Sequence, residues 1–146
     1  MTHTISLPAG KKIYFASDFH LGVPNAQSSL AREKRITAWL DSIKGDAHSI
    51  YLLGDIFDFW FEYATVIPKG FHRTLTALQA FTDRGIPVHY IAGNHDFWMG
   101  DFFQKELGVH MYLDPCELTL GGKRVFLHHG DGLAPRDTGY RMIKPV

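Results

Sequence analysis

The sequence lacks the features of exported and membrane-spanning proteins. Its single cysteine, Cys116, cannot form an intramolecular disulfide, and no segment approaches the roughly 18 consecutive apolar residues of a membrane-spanning helix. The N-terminal stretch has no basic region followed by an apolar one, so no secretory leader is expected. These absences predict a protein of the reducing cytoplasm. They leave open a peripheral contact with the inner membrane surface.

The sequence also lacks an excess of charge of either sign. Its 15 Lys and Arg residues balance its 15 Asp and Glu residues, so nucleic acid is not expected as a partner. There is no low-complexity tract and no internal repeat. With 146 residues, 45% of them hydrophobic, the chain suits one domain with a substantial core.

Short apolar runs alternate with helix-like segments, which is typical of an α/β or α+β fold. Serine precedes the first helical pattern and Gly45 follows it, as expected of helix ends. Beyond about residue 110, two apolar runs flank Gly121 and Gly122, which predicts an antiparallel hairpin after the parallel strands. The predicted strands are 13–17, 49–54 and 87–93, and the predicted helices are roughly 28–44 and 70–84.

Each predicted strand is followed by acidic, amide or imidazole side chains. Because the carboxyl ends of parallel strands meet at one edge of a sheet, we expect these side chains to gather there. Any one of them could instead serve in a turn or a helix cap, and only their recurrence favours a common site. In chain order they are Asp18 and His20, Asp55 and Asp58, Asn94, His95 and Asp96, and His128, His129 and Asp131.

This mixture of oxygen and imidazole ligands, without a thiolate, favours Mn, Fe, Zn, Co or Mg over a structural zinc site. Asp55 is central in the series and has two carboxylate oxygens, so it is the natural bridge between two ions. Two ions about 3.5 to 4 Å apart can clamp a phosphate and activate a water. The sequence therefore predicts hydrolysis of a phosphate ester or anhydride.

The blocks D-F-H, G-D-I-F-D, G-N-H-D and H-H-G-D resemble the calcineurin-like metallophosphoesterase family over about residues 13–131. The resemblance implies that residues 1–146 form a single α/β (α+β) domain, a metallophosphoesterase-type β-sandwich flanked by helices. It also implies two divalent ions, most readily Mn, and a phosphorylated or nucleotide-linked substrate. The implied metal ligands are Asp18, His20, Asp55, Asn94 and His129.

Beside these ligands, the resemblance implies that His95 protonates the leaving oxygen or steadies the phosphate. Asp58 is expected to orient a ligand or a loop amide rather than to bind metal. Because His128 and His129 are adjacent in a strand, they should face opposite sides, with His128 in a structural or substrate-side position. Asp96 and Asp131 complete their blocks and are expected beside the ligands or the substrate.

Within the family, the segments GDIFDFWFEY and GNHDFWMGDFF resemble the UDP-2,3-diacylglucosamine hydrolase branch, which cleaves a lipid A precursor to a lipid monophosphate and UMP. The aromatic residues of these segments predict an apolar groove for an acyl chain, a membrane surface or a partner. Better-known members of the branch carry arginine where this chain has His95. A soluble nucleotide or a phosphoprotein therefore remains an alternative substrate, and a non-catalytic protein-binding module is a further alternative.

The family's final G-H-x-H block has no counterpart after His129 in this sequence. We therefore expect an incomplete domain, truncated on its C-terminal side. Loss of those ligands predicts weak metal binding and little hydrolase activity in this chain. The open sheet edge or apolar face left by the truncation predicts self-association.

Overall fold

The computed structural model describes residues 2–96 and 98–130 as two packed β-sheets with two main helices on one side. The strands, in chain order, are β1 Thr2–Ile5, β2 Lys12–Ala16, β3 Ala47–Leu53, β4 Val88–Ile91, β5 His110–Tyr112, β6 Cys116–Leu120 and β7 Lys123–Leu127. One sheet has the order β2-β3-β4-β5 and is parallel throughout. The other has the order β1-β6-β7, with β1 parallel and β7 antiparallel to β6. This architecture confirms the predicted α/β class and the sandwich.

The helices are α1 Ala26–Ile43, α2 His72–Thr82 and the short α3 Phe102–Lys105. The side chain of Asn25, rather than a serine, caps α1 by accepting a hydrogen bond from Ser28 N at 2.9 Å. No side chain of its own segment caps α2. Instead Glu33 of α1 accepts hydrogen bonds from Thr74 N at 3.3 Å and Thr74 Oγ1 at 3.0 Å. The two helices are thus joined at the start of α2.

The core has two parts because side chains of the parallel sheet point alternately to its two faces. Ile50 and Leu52 of β3 pack toward the helices, whereas Tyr51 packs toward the second sheet. The second part of the core also contains Ile91 of β4 and Leu118 of β6. Since both faces are covered, β3 is apolar at consecutive positions, which explains why its sequence shows no polar alternation.

The sequence patterns did not predict the strands β1 and β5 or the short helix α3. β1 has four residues, two of them threonine, and β5 has three residues, so neither produces a readable apolar run. Each pairs with a strand that is distant in sequence: β1 pairs with β6, and β5 pairs with β4. The part of the chain that the structure describes contains no helix long and apolar enough to cross a bilayer.

His89 of β4 lies between the two sheets in a stack of rings. Its ring centroid is 4.4 Å from that of Tyr51 and 5.0 Å from that of His110, and its Nδ1 lies 2.9 Å from Tyr112 Oη. Burial lowers the pKa of His89 to about 4, with smaller contributions from His110 and His3. The folded protein therefore resists protonation of this ring.

Acidification is consequently expected to destabilise the protein through His89. The unfolded chain takes up this proton near pH 6.5 and the folded chain only near pH 4, so the stabilising contribution is complete above pH 6.5 and declines between these values. From the difference between these two values we expect a loss of up to about 3 kcal/mol from this residue at pH 4. Urea unfolding of wild type and His89→Phe between pH 7 and 4 measures it, and equal losses in both proteins would contradict the assignment.

Candidate metal centre

Three imidazoles converge on one carboxylate oxygen at the end of β3. Asp55 is buried, with 3% of its surface exposed. Its Oδ2 lies 3.7 Å from His20 Nε2, 4.0 Å from His95 Nε2 and 3.3 Å from His129 Nε2. Asp18 Oδ1 lies 3.5 Å from the same nitrogen of His20. The structure thus gathers residues from four separate sequence blocks into one cluster.

The other ring nitrogen of each histidine is held on the side away from Asp55. Nδ1 of His129 lies 2.7 Å from the carbonyl of Leu53, and Nδ1 of His95 lies 3.0 Å from the carbonyl of Asp58. Nδ1 of His20 lies 3.3 Å from Asp58 Oδ1. Because a carbonyl or carboxylate oxygen only accepts, each Nδ1 donates the hydrogen bond.

This arrangement leaves Nε2 with the lone pair in each neutral ring. Three lone pairs facing the carboxylate of Asp55 repel it unless a cation or a proton lies between them. The donor set of carboxylate, imidazole and amide oxygen, with each imidazole held through its second nitrogen, fits divalent metal ions. The residues present therefore suit the group that the sequence predicts.

The donor atoms form two neighbouring groups, each with its atoms within 4.8 Å of one another. One group is Asp18, Asp55 and His129, and the other is His20, Asp58 and His95. Beside the first, Asn94 Oδ1 lies 3.1 Å from His129 Nε2. The second group differs from the predicted ligand set, because Asp58 and His95 take part in it.

The position of Asp58 explains this difference. Its Oδ1 contacts Nδ1 of both rings, at 3.3 Å for His20 and 3.4 Å for His95, on the side opposite Asp55. These contacts turn Nε2 of both rings toward Asp55. We therefore interpret Asp58 as the group that orients the two histidines.

The turns after β2 and β3 are unusual for non-glycine residues. Asp18, His20 and Asp55 all have left-handed backbones, with φ of 57°, 44° and 53°. The two turns pair through their main chains: Asp18 N donates to Gly54 O at 3.1 Å and His20 N donates to Asp55 O at 2.9 Å. This pairing continues beyond the regular strands and brings the carboxylates of Asp18 and Asp55 together.

Asp96 joins the turn after β4 to the turn after β3. Its carboxylate is fully buried and accepts hydrogen bonds from Ile56 N at 2.8 Å, Gly93 N at 2.8 Å and Asp55 N at 3.1 Å. Tyr90 Oη also donates to it. Burial, together with the negative charge of Asp96, holds the pKa of Tyr90 well above its usual value, so Tyr90 remains a donor. Through these bonds Asp96 holds the two turns, and with them Asp55, in place relative to each other.

Two glycines allow these turns to approach closely. A Cβ at Gly93 would lie 2.2 Å from Asp55 Oδ1, which is far inside contact distance. A Cβ at Gly54, whose φ is 82°, would lie 2.7 Å from His129 Nδ1. The close packing around Asp55 and His129 thus requires the glycine of each of the G-D and G-N dipeptides.

The expectation that all of these side chains share the edge of one parallel sheet is wrong for His129. This residue follows β7, which belongs to the second sheet, so the cluster lies where the two sheets meet. The neighbouring His128 stands apart, with its ring 6.0 Å from that of Phe126 and its Nδ1 accepting from Gly130 N at 2.6 Å. Asp131 lies outside the residues that the structure describes.

The aromatic segments divide into a buried and an exposed set. The buried set is Phe57, Trp60 and Phe103, and the set that is about half or more exposed is Phe59, Phe61, Tyr63 and Trp98. The sequence patterns did not single out Glu62, which joins the two segments by accepting hydrogen bonds from Trp60 Nε1 at 3.1 Å and Phe102 N at 3.2 Å. One face of these loops packs in the core, and the other presents aromatic rings to the solvent.

Comparison with known proteins bears on the identity of this site. The model of the calcineurin-like phosphoesterase family matches residues 11–143. The chain belongs to this family. The predicted resemblance is thereby confirmed, and the family supplies a reason for metal-ligand chemistry at the convergence of β2, β3, β4 and β7.

Individual relatives refine the comparison. The chain is 45% identical, over 91% of its length, to a protein of Porphyromonas gingivalis named UDP-2,3-diacylglucosamine hydrolase. It is 35% identical to proteins of the same name from Aeromonas salmonicida, over 90% of its length, and Escherichia coli, over 89%. These matches cover 48%, 50% and 52% of the respective relatives, so the chain spans about half the length of the curated relatives it matches.

Proposed function

We propose that the protein carrying this sequence is a divalent-metal-dependent hydrolase that cleaves the pyrophosphate of UDP-2,3-diacylglucosamine to a lipid monophosphate and UMP. The observation that carries this proposal is the convergence of three imidazole Nε2 atoms on the buried carboxylate of Asp55. Membership of the phosphoesterase family and the names of the relatives support it. Such a substrate would place the protein at the inner membrane surface.

In this proposal five residues hold two ions. The residues that would hold them are Asp18, His20, Asp55, Asn94 and His129, with Asp55 as the carboxylate that would serve both, and this donor set suits Mn or otherwise Fe, Zn, Co or Mg. When bound, such ions neutralise charge on phosphoryl oxygens and lower the pKa of a bound water. The chain's own contribution is to hold the ligands in place, through the carbonyl of Leu53 at His129 and through Asp58 at His20.

His95 acts on the substrate rather than on the ligands. Its Nδ1 is held by the carbonyl of Asp58, so Nε2 faces the site, and 40% of its side chain is exposed to incoming substrate. From this position Nε2, when protonated, can donate its proton to the leaving oxygen or a hydrogen bond to a phosphate. Asp58 sets the orientation of this ring as well as that of His20.

The exposed aromatic set would receive the acyl chains. Phe59, Phe61 and Tyr63 are exposed and lie on the segment that begins directly after Asp58, the residue that contacts His20 and His95. Burial of acyl methylenes against these rings contributes about 0.8 kcal/mol per buried CH₂. Binding energy from this remote contact can be used at the reacting phosphorus.

Hydrolysis of two matched substrates tests the proposal. With Mn present, we expect the full-length protein to hydrolyse UDP-2,3-diacylglucosamine with a kcat/KM at least about 100-fold higher than that for UDP-glucosamine, which has the same pyrophosphate without acyl chains. Phe59→Ser with Phe61→Ser should reduce this preference. Leu113→Ser, at another exposed apolar position, is the matched control.

Other results would favour the alternatives. Equal rates on the two substrates would indicate a phosphohydrolase of soluble nucleotides or phosphoproteins. Binding of metal without hydrolysis of any phosphate ester would favour a non-catalytic module on the same fold.

A further inference from the structure

Arg32 of α1 bonds to the main chain of the turn that carries Asp18 and His20. Its Nε donates to the carbonyl of Phe19 at 2.7 Å. Its Nη2 donates to the carbonyls of His20 at 2.6 Å and Val23 at 2.5 Å. One planar cation is thus the donor for three carbonyls within a five-residue segment.

The turn that contains this segment, from Asp18 to Val23, has a conformation that its own residues do not favour. Asp18 and His20 have left-handed backbones, each of which costs on the order of 1 kcal/mol and persists only where the surroundings determine it. The N–H groups of both residues bond to the turn after β3. The carbonyls of Phe19 and His20 instead accept hydrogen bonds from Arg32. The turn is therefore held by the turn after β3 on one side and by α1 on the other.

A second side chain of α1 contacts the same segment. Ser29 is 6% exposed, and its Oγ accepts a hydrogen bond from Gly22 N at 2.7 Å. Ser29 and Arg32 are three positions apart and therefore lie on one face of the helix. The first turns of α1 thus form a support for residues 19–23.

We propose that Arg32 is a positioning residue for the metal centre. By fixing the main chain of residues 19–23, the guanidinium holds the side chains of Asp18 and His20 at the separation, 3.5 Å between Oδ1 and Nε2, at which they can share one ion. Arg32 acts through carbonyl groups and is not itself a ligand. The inference rests on the metal-binding role given to Asp18 and His20 under the proposed function.

The chemistry of arginine suits this role better than that of lysine. The guanidinium is planar and presents several donors in fixed directions, whereas an ammonium is a compact charge on a flexible stem. Lysine at position 32 could keep the charge but could not bond to Phe19, His20 and Val23 in the same geometry. Arg32→Lys should therefore be impaired nearly as much as Arg32→Met.

Titration of the full-length protein with Mn²⁺ tests the proposal. Calorimetry gives the affinity for each ion, and electron paramagnetic resonance distinguishes paired from single ions. For Arg32→Met and Arg32→Lys we expect one of the two ions to bind about 10- to 100-fold more weakly, the usual effect of losing a group that orients a ligand. The other ion, nearer Asn94 and His129, should lose less affinity, because Asp18 is the only member of its donor group that lies next to the supported segment.

Arg35→Met is the matched control, since Arg35 is an exposed arginine on the same helix for which the structure shows no bond to this turn. Its two Mn²⁺ affinities should equal those of wild type. Thermal unfolding of the metal-free proteins separates local from general effects. If Arg32→Met fails to fold, Arg32→Lys, which keeps the charge and most of the stem, decides the question.

Two results would overturn the proposal: unchanged binding of both ions in the Arg32 variants, or equal weakening of both ions with a matching loss of thermal stability. Wild type that binds two ions and hydrolyses no phosphate ester contradicts the proposed function but leaves the positioning role intact. Wild type that binds no ion contradicts both.

Discussion

Asp55→Asn is expected to lose both divalent ions and to reduce turnover by at least about 1000-fold. Asp55 Oδ2 is within 4.0 Å of Nε2 of His20, His95 and His129, so removal of this charge affects every part of the cluster. Asparagine tolerates the left-handed backbone at this position and keeps an oxygen that can accept from His95 N. The fold should therefore survive.

Elemental analysis of dialysed protein, alongside steady-state turnover, measures this effect. Asp114→Asn, which removes an exposed carboxylate at another turn, is the matched control and should behave as wild type. If the Asp55 variant retains one tightly bound ion, the carboxylate does not bridge the two positions.

His95→Ala is expected to reduce kcat by roughly 100-fold or more while the metal content stays that of wild type, because a general acid contributes on this scale. The ring reaches the site through Nε2, which lies 4.0 Å from Asp55 Oδ2, the longest of the three such distances. His20 and His129 approach this oxygen more closely, in keeping with their proposed roles as ligands.

Two further variants sharpen the test of His95. His95→Asn can keep the bond to the carbonyl of Asp58 but has no counterpart of Nε2, so it should be as inactive as His95→Ala. His72→Ala removes an exposed histidine at the start of α2 and should leave turnover unchanged. Loss of one ion in His95→Ala would instead show that His95 is a ligand, as its grouping with His20 and Asp58 permits.

The sequence predicted three parallel strands, two helices and the hairpin because each has a local signal. β3 is apolar at its last four positions, and α1 and α2 repeat apolar residues at helical spacing, so burial of these elements is visible in the residues themselves. β1 and β5 have no such signal. Their pairing with β6 and β4 depends on contacts with distant segments, which a local pattern does not contain.

The same contrast holds at the site. The sequence by itself determined which donor types follow which strands, since a carboxylate or an imidazole is a property of the residue. The tertiary structure alone decided that His129 reaches the cluster from the end of β7, a strand of the second sheet, and that the carbonyl of Leu53 orients its ring. It also decided that Arg32 supports the turn of His20. These are contacts to main-chain atoms, which every residue has, so no residue type in the sequence marks them; only the packing of distant segments brings the atoms together.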